Sequence, residues 1–76
     1  MNNNRRKALN RISDQLEKLK EELETLKDQE EEYYDNMPES FQDAERGLAA
    51  QNAMDNIEYA ADSIDEIVAY IEEAVA

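Results

Sequence analysis

From Leu9 onward the apolar residues fall at Leu9, Ile12, Leu16, Leu19, Leu23 and Leu26, and Tyr33 resumes the series past Glu30. The steps alternate three and four, the spacing of a heptad seam on a helix that packs against another helix. Lys and Glu fill the remaining faces, with opposite charges at helical spacing in Lys20–Glu24 and Lys27–Glu31. The pattern predicts a first helix over roughly 4–34. The pattern breaks at Asp35-Asn36-Met37-Pro38-Glu39-Ser40, because a proline pushes the residue before it out of the helical region. Asn36 with Glu39, or Ser40 with Asp43, is spaced as a capping box for the next helical segment. Gly47 is unfavourable inside a helix by about 1 kcal/mol relative to alanine. It marks either a break after a short helical turn or a close approach of two backbone segments. The linker therefore covers roughly 35–47, with room for a short helical turn.

The second helix reads from about 48 to about 74. Three apolar rows run along it, each with a period of seven. The first is Ala50, Ile57, Ile64 and Ile71, and the second is Ala53, Ala60, Ile67 and Ala74. The third is Met54, Ala61, Val68 and Val75. Three rows make a wider stripe than a two-helix seam requires. The first two rows are expected to face the first helix, and the third is expected to point elsewhere. Antiparallel pairing of Leu26 with Ile57 also brings Leu23 to Ala60, Leu19 to Ile64, Leu16 to Ile67 and Ile12 to Ile71. Large residues then meet small or apolar ones, as dense core packing needs. The same register sets Arg5, Arg6 and Lys7 beside Glu72 and Glu73, where bases offset acids that a helix C-terminus disfavours. The expected fold is all-α: one antiparallel two-helix hairpin, coiled-coil-like, spanning residues 1–76 as a single domain. Dimerisation of two hairpins gives a four-helix bundle.

Composition narrows the function classes. Seventy-six residues allow one small domain with a thin core, which favours completion by a partner or by self-association. The absence of His and Cys removes the commonest general base, the commonest metal ligand and any thiolate chemistry. A catalytic role is not expected, nor is a cofactor or a metal. Asp62, Asp65 and Glu66 form no Gly-centred loop of the kind Ca²⁺ binding needs, and no Glu-x-x-His pair supports a di-iron site. No apolar run reaches membrane-spanning length and no signal peptide opens the chain, so a cytoplasmic protein is expected.

Charge changes the picture most. Twenty acids against eight bases give a net charge of -12. Direct contact with nucleic acid or with an anionic membrane is disfavoured, and a basic protein surface is favoured. Residues 1–11 carry Arg5, Arg6, Lys7 and Arg11 without an acid, whereas residues 39–76 carry ten acids and only Arg46. The negative excess is therefore assigned mainly to the second helix. There Asp55, Glu58, Asp62, Asp65 and Glu66 follow helical spacing at about one acid per 5 Å turn. That density is of the same order as a nucleic-acid backbone. Tyr59 and Tyr70 on the same helix are candidate anchors for a partner. These seven residues form the candidate partner-binding set, with an ordinary solvated acidic face as the plainer alternative. Met54, Ala61, Val68 and Val75 form the candidate self-association set. At the turn, Tyr33, Tyr34, Met37 and Phe41 are expected to cap the open end of the hairpin.

The stretch Tyr33-Tyr34-Asp35-Asn36-Met37-Pro38-Glu39, between a Leu/Lys/Glu-rich helix and an acidic Ile/Ala-rich one, resembles a group of short acidic helical proteins. They occur in Gram-positive gut bacteria, their phages and mobile elements. The resemblance covers about residue 7 to residue 76. It implies no catalytic or binding residues. It does imply that the turn motif belongs to the fold, and it points to an accessory or phage-type role. Two functions are expected on these grounds. One is a non-enzymatic acidic protein-binding module, such as an inhibitor that occupies the basic surface of a nucleic-acid-handling protein. The other is a homo-oligomerising coiled-coil scaffold, with a homodimer as its unit.

Overall fold

The computed structural model describes all residues, 1–76, and contains three helices. Helix α1 spans Asn3–Asp35. Its N-terminus is capped by Asn2, whose side-chain oxygen accepts from the Arg5 N–H at 2.8 Å. Its C-terminus closes where the Met37 N–H turns back to the Tyr34 carbonyl, one residue before Pro38. A single turn, α2, spans Glu39–Gln42. Helix α3 spans Glu45–Val75. The expected helix bounds are close to these. Gly47 does not interrupt α3, and the short turn lies ahead of it.

Neither of the expected capping boxes forms: α2 and α3 start at Pro38 and Ala44 without a side-chain cap. The turn is held instead by Gln42. Its Nε2 donates to the Tyr34 carbonyl at 3.3 Å, alongside the Met37 N–H, and to the Met37 carbonyl at 3.4 Å, tying α2 to the end of α1. Gly47 is buried, and a Cβ there would fall on the Gln42 backbone. The glycine serves close approach of α2 to α3. Of the expected aromatic cap, Tyr34 and Met37 are half-buried, while Tyr33 and Phe41 stay exposed.

Helices α1 and α3 pack side by side in opposite directions. The interhelical polar pairs are Lys20 with Asp65, Lys27 with Glu58 and Tyr34 with Gln51. Each moves seven residues forward along α1 and seven back along α3, as a coiled-coil hairpin requires. The result is a rod with extents of 58 × 15 × 12 Å and a radius of gyration of 17.3 Å. A compact chain of this length would have a radius near 11 Å.

The seam differs from the expected one by a rotation of each helix. In heptad letters, α1 turns Leu9, Leu16 and Leu23 (position d) inward together with Ser13, Lys20, Lys27 and Tyr34 (position a). Helix α3 turns Ala50, Ile57, Ile64 and Ile71 (d) inward together with Met54, Ala61, Val68 and Val75 (a). The third apolar row is therefore core: Ala61 is 5% exposed and Val68 7%. The row that points outward is Ala53, Ala60, Ile67 and Ala74 (g), in which only Ala53 is half-covered. On α1 the outward row is Ile12, Leu19, Leu26 and Tyr33 (g), each 42–53% exposed.

Both arrangements have three-four spacing, so spacing does not choose between them. They differ by about 50° of rotation per helix, one heptad position. Two features favour the observed choice. On α3 the buried row carries Met54 and Val75 where the alternative row carries Ala53 and Ala74, and Val68 stands against Ile67, so more apolar surface leaves water. On α1 the stems of Lys20 and Lys27 cover the seam while their ammonium groups reach its edge, where acids of α3 meet them.

Candidate functional site

The rotation sorts the surface into two unlike faces. In an antiparallel pair, the row flanking position a on one helix lies beside the same row of the other helix, and the row flanking d does likewise. On the first side, Glu17, Glu21, Glu24 and Asp28 of α1 face Asp55, Glu58, Asp62 and Asp65 of α3, all exposed. A shallow groove between the helices there is lined by Glu24, Lys27, Asp28, Glu58, Ala61 and Asp62. The negative stripe is thus built by both helices. The stripe is expected on the second helix, which carries most of the net negative charge; the pairing lays α1 acids alongside it.

The stripe is lightly neutralised. The ion pairs are Lys20 with Glu24 at 3.6 Å, Lys20 with Asp65 at 2.8 Å, and Lys27 with Glu58 at 3.4 Å. The expected Lys27–Glu31 pair gives way to the interhelical one. The Lys20 ammonium donates to both carboxylate oxygens of Asp65, at 2.8 and 2.9 Å. That hydrogen bond raises the Lys20 pKa above its ordinary value, against partial desolvation and with help from the charges of Asp65 and Glu24. Arg5, Arg6 and Lys7 form no ion pair with Glu72 or Glu73, although the fold brings these two termini to the same end.

The members of the predicted partner-binding set do not share one face. Asp55, Glu58, Asp62 and Asp65 lie on the acidic side. Glu66 and Tyr59 lie on the back of α3, and Tyr70 borders the opposite side. Tyr59 and Tyr70 are among the most exposed large side chains, at 68% and 76%. The predicted self-association set is not available as a surface, because Met54, Ala61, Val68 and Val75 pack against α1.

On the second side, positions g and c of both helices form a face nearly free of charge. Between Ala8 and Tyr33, α1 presents apolar residues and Gln there, with Glu22 as the one acid. Between Ala49 and Ala74, α3 presents only Ala, Asn56, Ser63, Ile67 and Tyr70. Sequence reasoning missed this face because it assigned Leu19, Leu26 and Ile67 to the core. The signal that could have found it is the run of uncharged residues at every third and fourth position of the second helix.

Three or more acidic side chains do not converge anywhere as metal ligands would. The largest depression, lined by Lys18, Glu21, Glu22, Thr25 and Leu26, lies on the outer surface of α1 without a wall from α3. No helix is long and apolar enough to cross a membrane. Comparison of the chain with protein-family models, with curated proteins and with solved structures finds no match.

Proposed function

We propose that the protein is a non-enzymatic binding module whose acidic face docks on the basic surface of a partner protein. The observation that supports this reading is the segregation of charge: two rows of carboxylates, one from each helix, run side by side along a 58 Å rod. Acids spread at random for solubility would not leave the opposite face with Glu22 as its one acid. A rigid two-row stripe gives long-range steering toward a cationic groove and holds its charges in register at little conformational cost. A groove that normally holds nucleic acid fits it best, because the spacing of charges along each helix approaches that of phosphates. In the setting suggested by the turn motif, the module acts as an inhibitor supplied by a phage or mobile element.

The test is affinity capture from a bacterial lysate at low salt, with duplex DNA as competitor. The expected result is recovery of a basic nucleic-acid-binding protein that free DNA displaces. It should elute as salt approaches about 1 M, where the Debye length is about 3 Å. A chain carrying Asp55→Asn, Asp62→Asn and Glu21→Gln should lose the partner while keeping its helix content, since all three side chains are exposed. Retention of the same partner by that variant would refute the reading.

A further inference from the structure

We propose that two copies of the chain pack through the uncharged face into a four-helix bundle, with α1 of each copy lying on α3 of the other and the two acidic faces pointing in opposite directions.

Charge selects the occupant's approach. Each copy carries -12, so two copies brought together through their carboxylate rows repel. Between Ala8 and Tyr33 on α1 and between Ala49 and Ala74 on α3, positions g and c offer sixteen residues with a single charge, Glu22, in a chain that is 37% charged; Arg5 and Arg46 bound this stretch. That composition would place about six charges there. The exclusion is specific to the face on which a second copy can approach.

Packing points the same way. On α1 the richest three-four seam joins positions d and g: Leu9, Ile12, Leu16, Leu19, Leu23 and Leu26. The hairpin uses only its d half. In an antiparallel four-helix bundle, d residues turn toward the common axis and both a and g rows are covered. A second hairpin therefore buries the rows that the first leaves in water, and it completes the burial of Leu16, Leu23, Ile57 and Ile64, which are only half-buried in one copy.

The areas agree. One chain exposes 5864 Å². A compact monomer of 8.8 kDa exposes about 4,800 Å². The excess, about 1,100 Å², is slightly more than the roughly 800 Å² that each partner contributes to an interface of ordinary size.

The relief of the two helices fixes the arrangement. On the uncharged face α1 is bulky, with Ile12, Leu19, Leu26 and Tyr33, and α3 is low at Ala49, Ala53, Ala60 and Ala74, with Ile67 and Tyr70 as its two large side chains. Large residues fit small ones when α1 lies on the partner's α3. A two-fold axis along the rod does this twice, as a symmetric interface requires. It also makes every helix antiparallel to both its neighbours, which their dipoles favour. Leu26 of one copy then lies over Ala60 of the partner, and the two turns sit at one end.

Sedimentation equilibrium of the full chain at tens of micromolar tests the proposal. The expected mass is twice 8.8 kDa. Leu19→Glu with Leu26→Glu should raise the dissociation constant by about 100-fold or more, since carboxylates would be buried unpaired across the two-fold. Its helical signal should persist, because both leucines are half exposed in one copy. Leu19→Ala with Leu26→Ala, which adds no charge, should weaken the dimer less and in the same direction. The chain has no cysteine, so chains carrying single L26C or A60C substitutions can be mixed and oxidised. Crosslinking of one to the other is expected. A monomer at these concentrations, an unchanged mass in the double glutamate variant, or preferential L26C–L26C crosslinking would each overturn the proposal. None of these measurements involves the acidic face, so loss of partner capture leaves the dimer standing, and the reverse also holds.

Discussion

Gly47→Ala is the substitution on which the local geometry of the turn can be tested with the clearest sign. In an exposed helix, exchanging glycine for alanine stabilises by about 1 kcal/mol, because the unfolded chain loses freedom. Gly47 lies in α3, so propensity alone predicts a gain. The structure predicts a loss. A Cβ at this position would stand 2.6 Å from the Gln42 Cα and nearer still to the Gln42 carbonyl, whereas ordinary contact begins at 3.4 Å. The obstacle is backbone, so it cannot swing aside as a side chain would. Helix α2 would have to withdraw by about 1 Å or more, and Gln42 would lose its grip on the Tyr34 and Met37 carbonyls. Overpacking of this kind costs about 1–3 kcal/mol. After the propensity gain is subtracted, a net loss of about 1–2 kcal/mol remains. For a domain of this size that is a fall in melting temperature of about 5–15 °C. Thermal unfolding followed by helical circular dichroism, at fixed protein concentration, measures it. Ala69→Gly, at an exposed position of the same helix outside the uncharged face, serves as the control for propensity and should lose about 1 kcal/mol. A rise in melting temperature for Gly47→Ala would refute the packing of α2 on α3.

The rotation of the helices gives a second test: Val68→Glu should abolish the cooperative helical transition, because Val68 is core, while Ile67→Glu should leave the hairpin folded, because Ile67 is 45% exposed; circular dichroism at low concentration separates them. Ser13 holds a buried hydroxyl without a hydrogen-bond partner. Ser13→Ala should therefore stabilise by about 1 kcal/mol, read as a higher denaturation midpoint. Lys20 has a raised pKa in the folded chain, through its hydrogen bond to Asp65. Its contribution to stability is complete below the ordinary lysine value of 10.5 and is lost as pH rises through the higher folded value. The alkaline limb of the stability curve should thus be shallower in Lys20→Met, measured by urea unfolding from neutral pH upward.

Sequence alone determined the fold class and most element bounds, since a three-four apolar spacing on both sides of an Asn-Met-Pro break admits little but a helical hairpin. It also determined the antiparallel pairing, close to the register that Lys20–Asp65 and Lys27–Glu58 display. Composition alone set the net charge of -12. The seam was a different matter. Helix α3 carries three adjacent apolar rows, any two neighbours of which have the same spacing, so periodicity there is blind to a rotation of about 50°, while on α1 the two leucine rows pointed to the other seam. Only packing of one helix on the other decided that Val68 goes in and Ile67 out, through the larger buried volume of the chosen row and the reach of two lysine stems. The faces follow from that single choice. The same residues, with the helices turned by one heptad position, would hide Leu19 and Leu26, expose Val68, and break up the two-sided division of charge on which the proposed interactions depend.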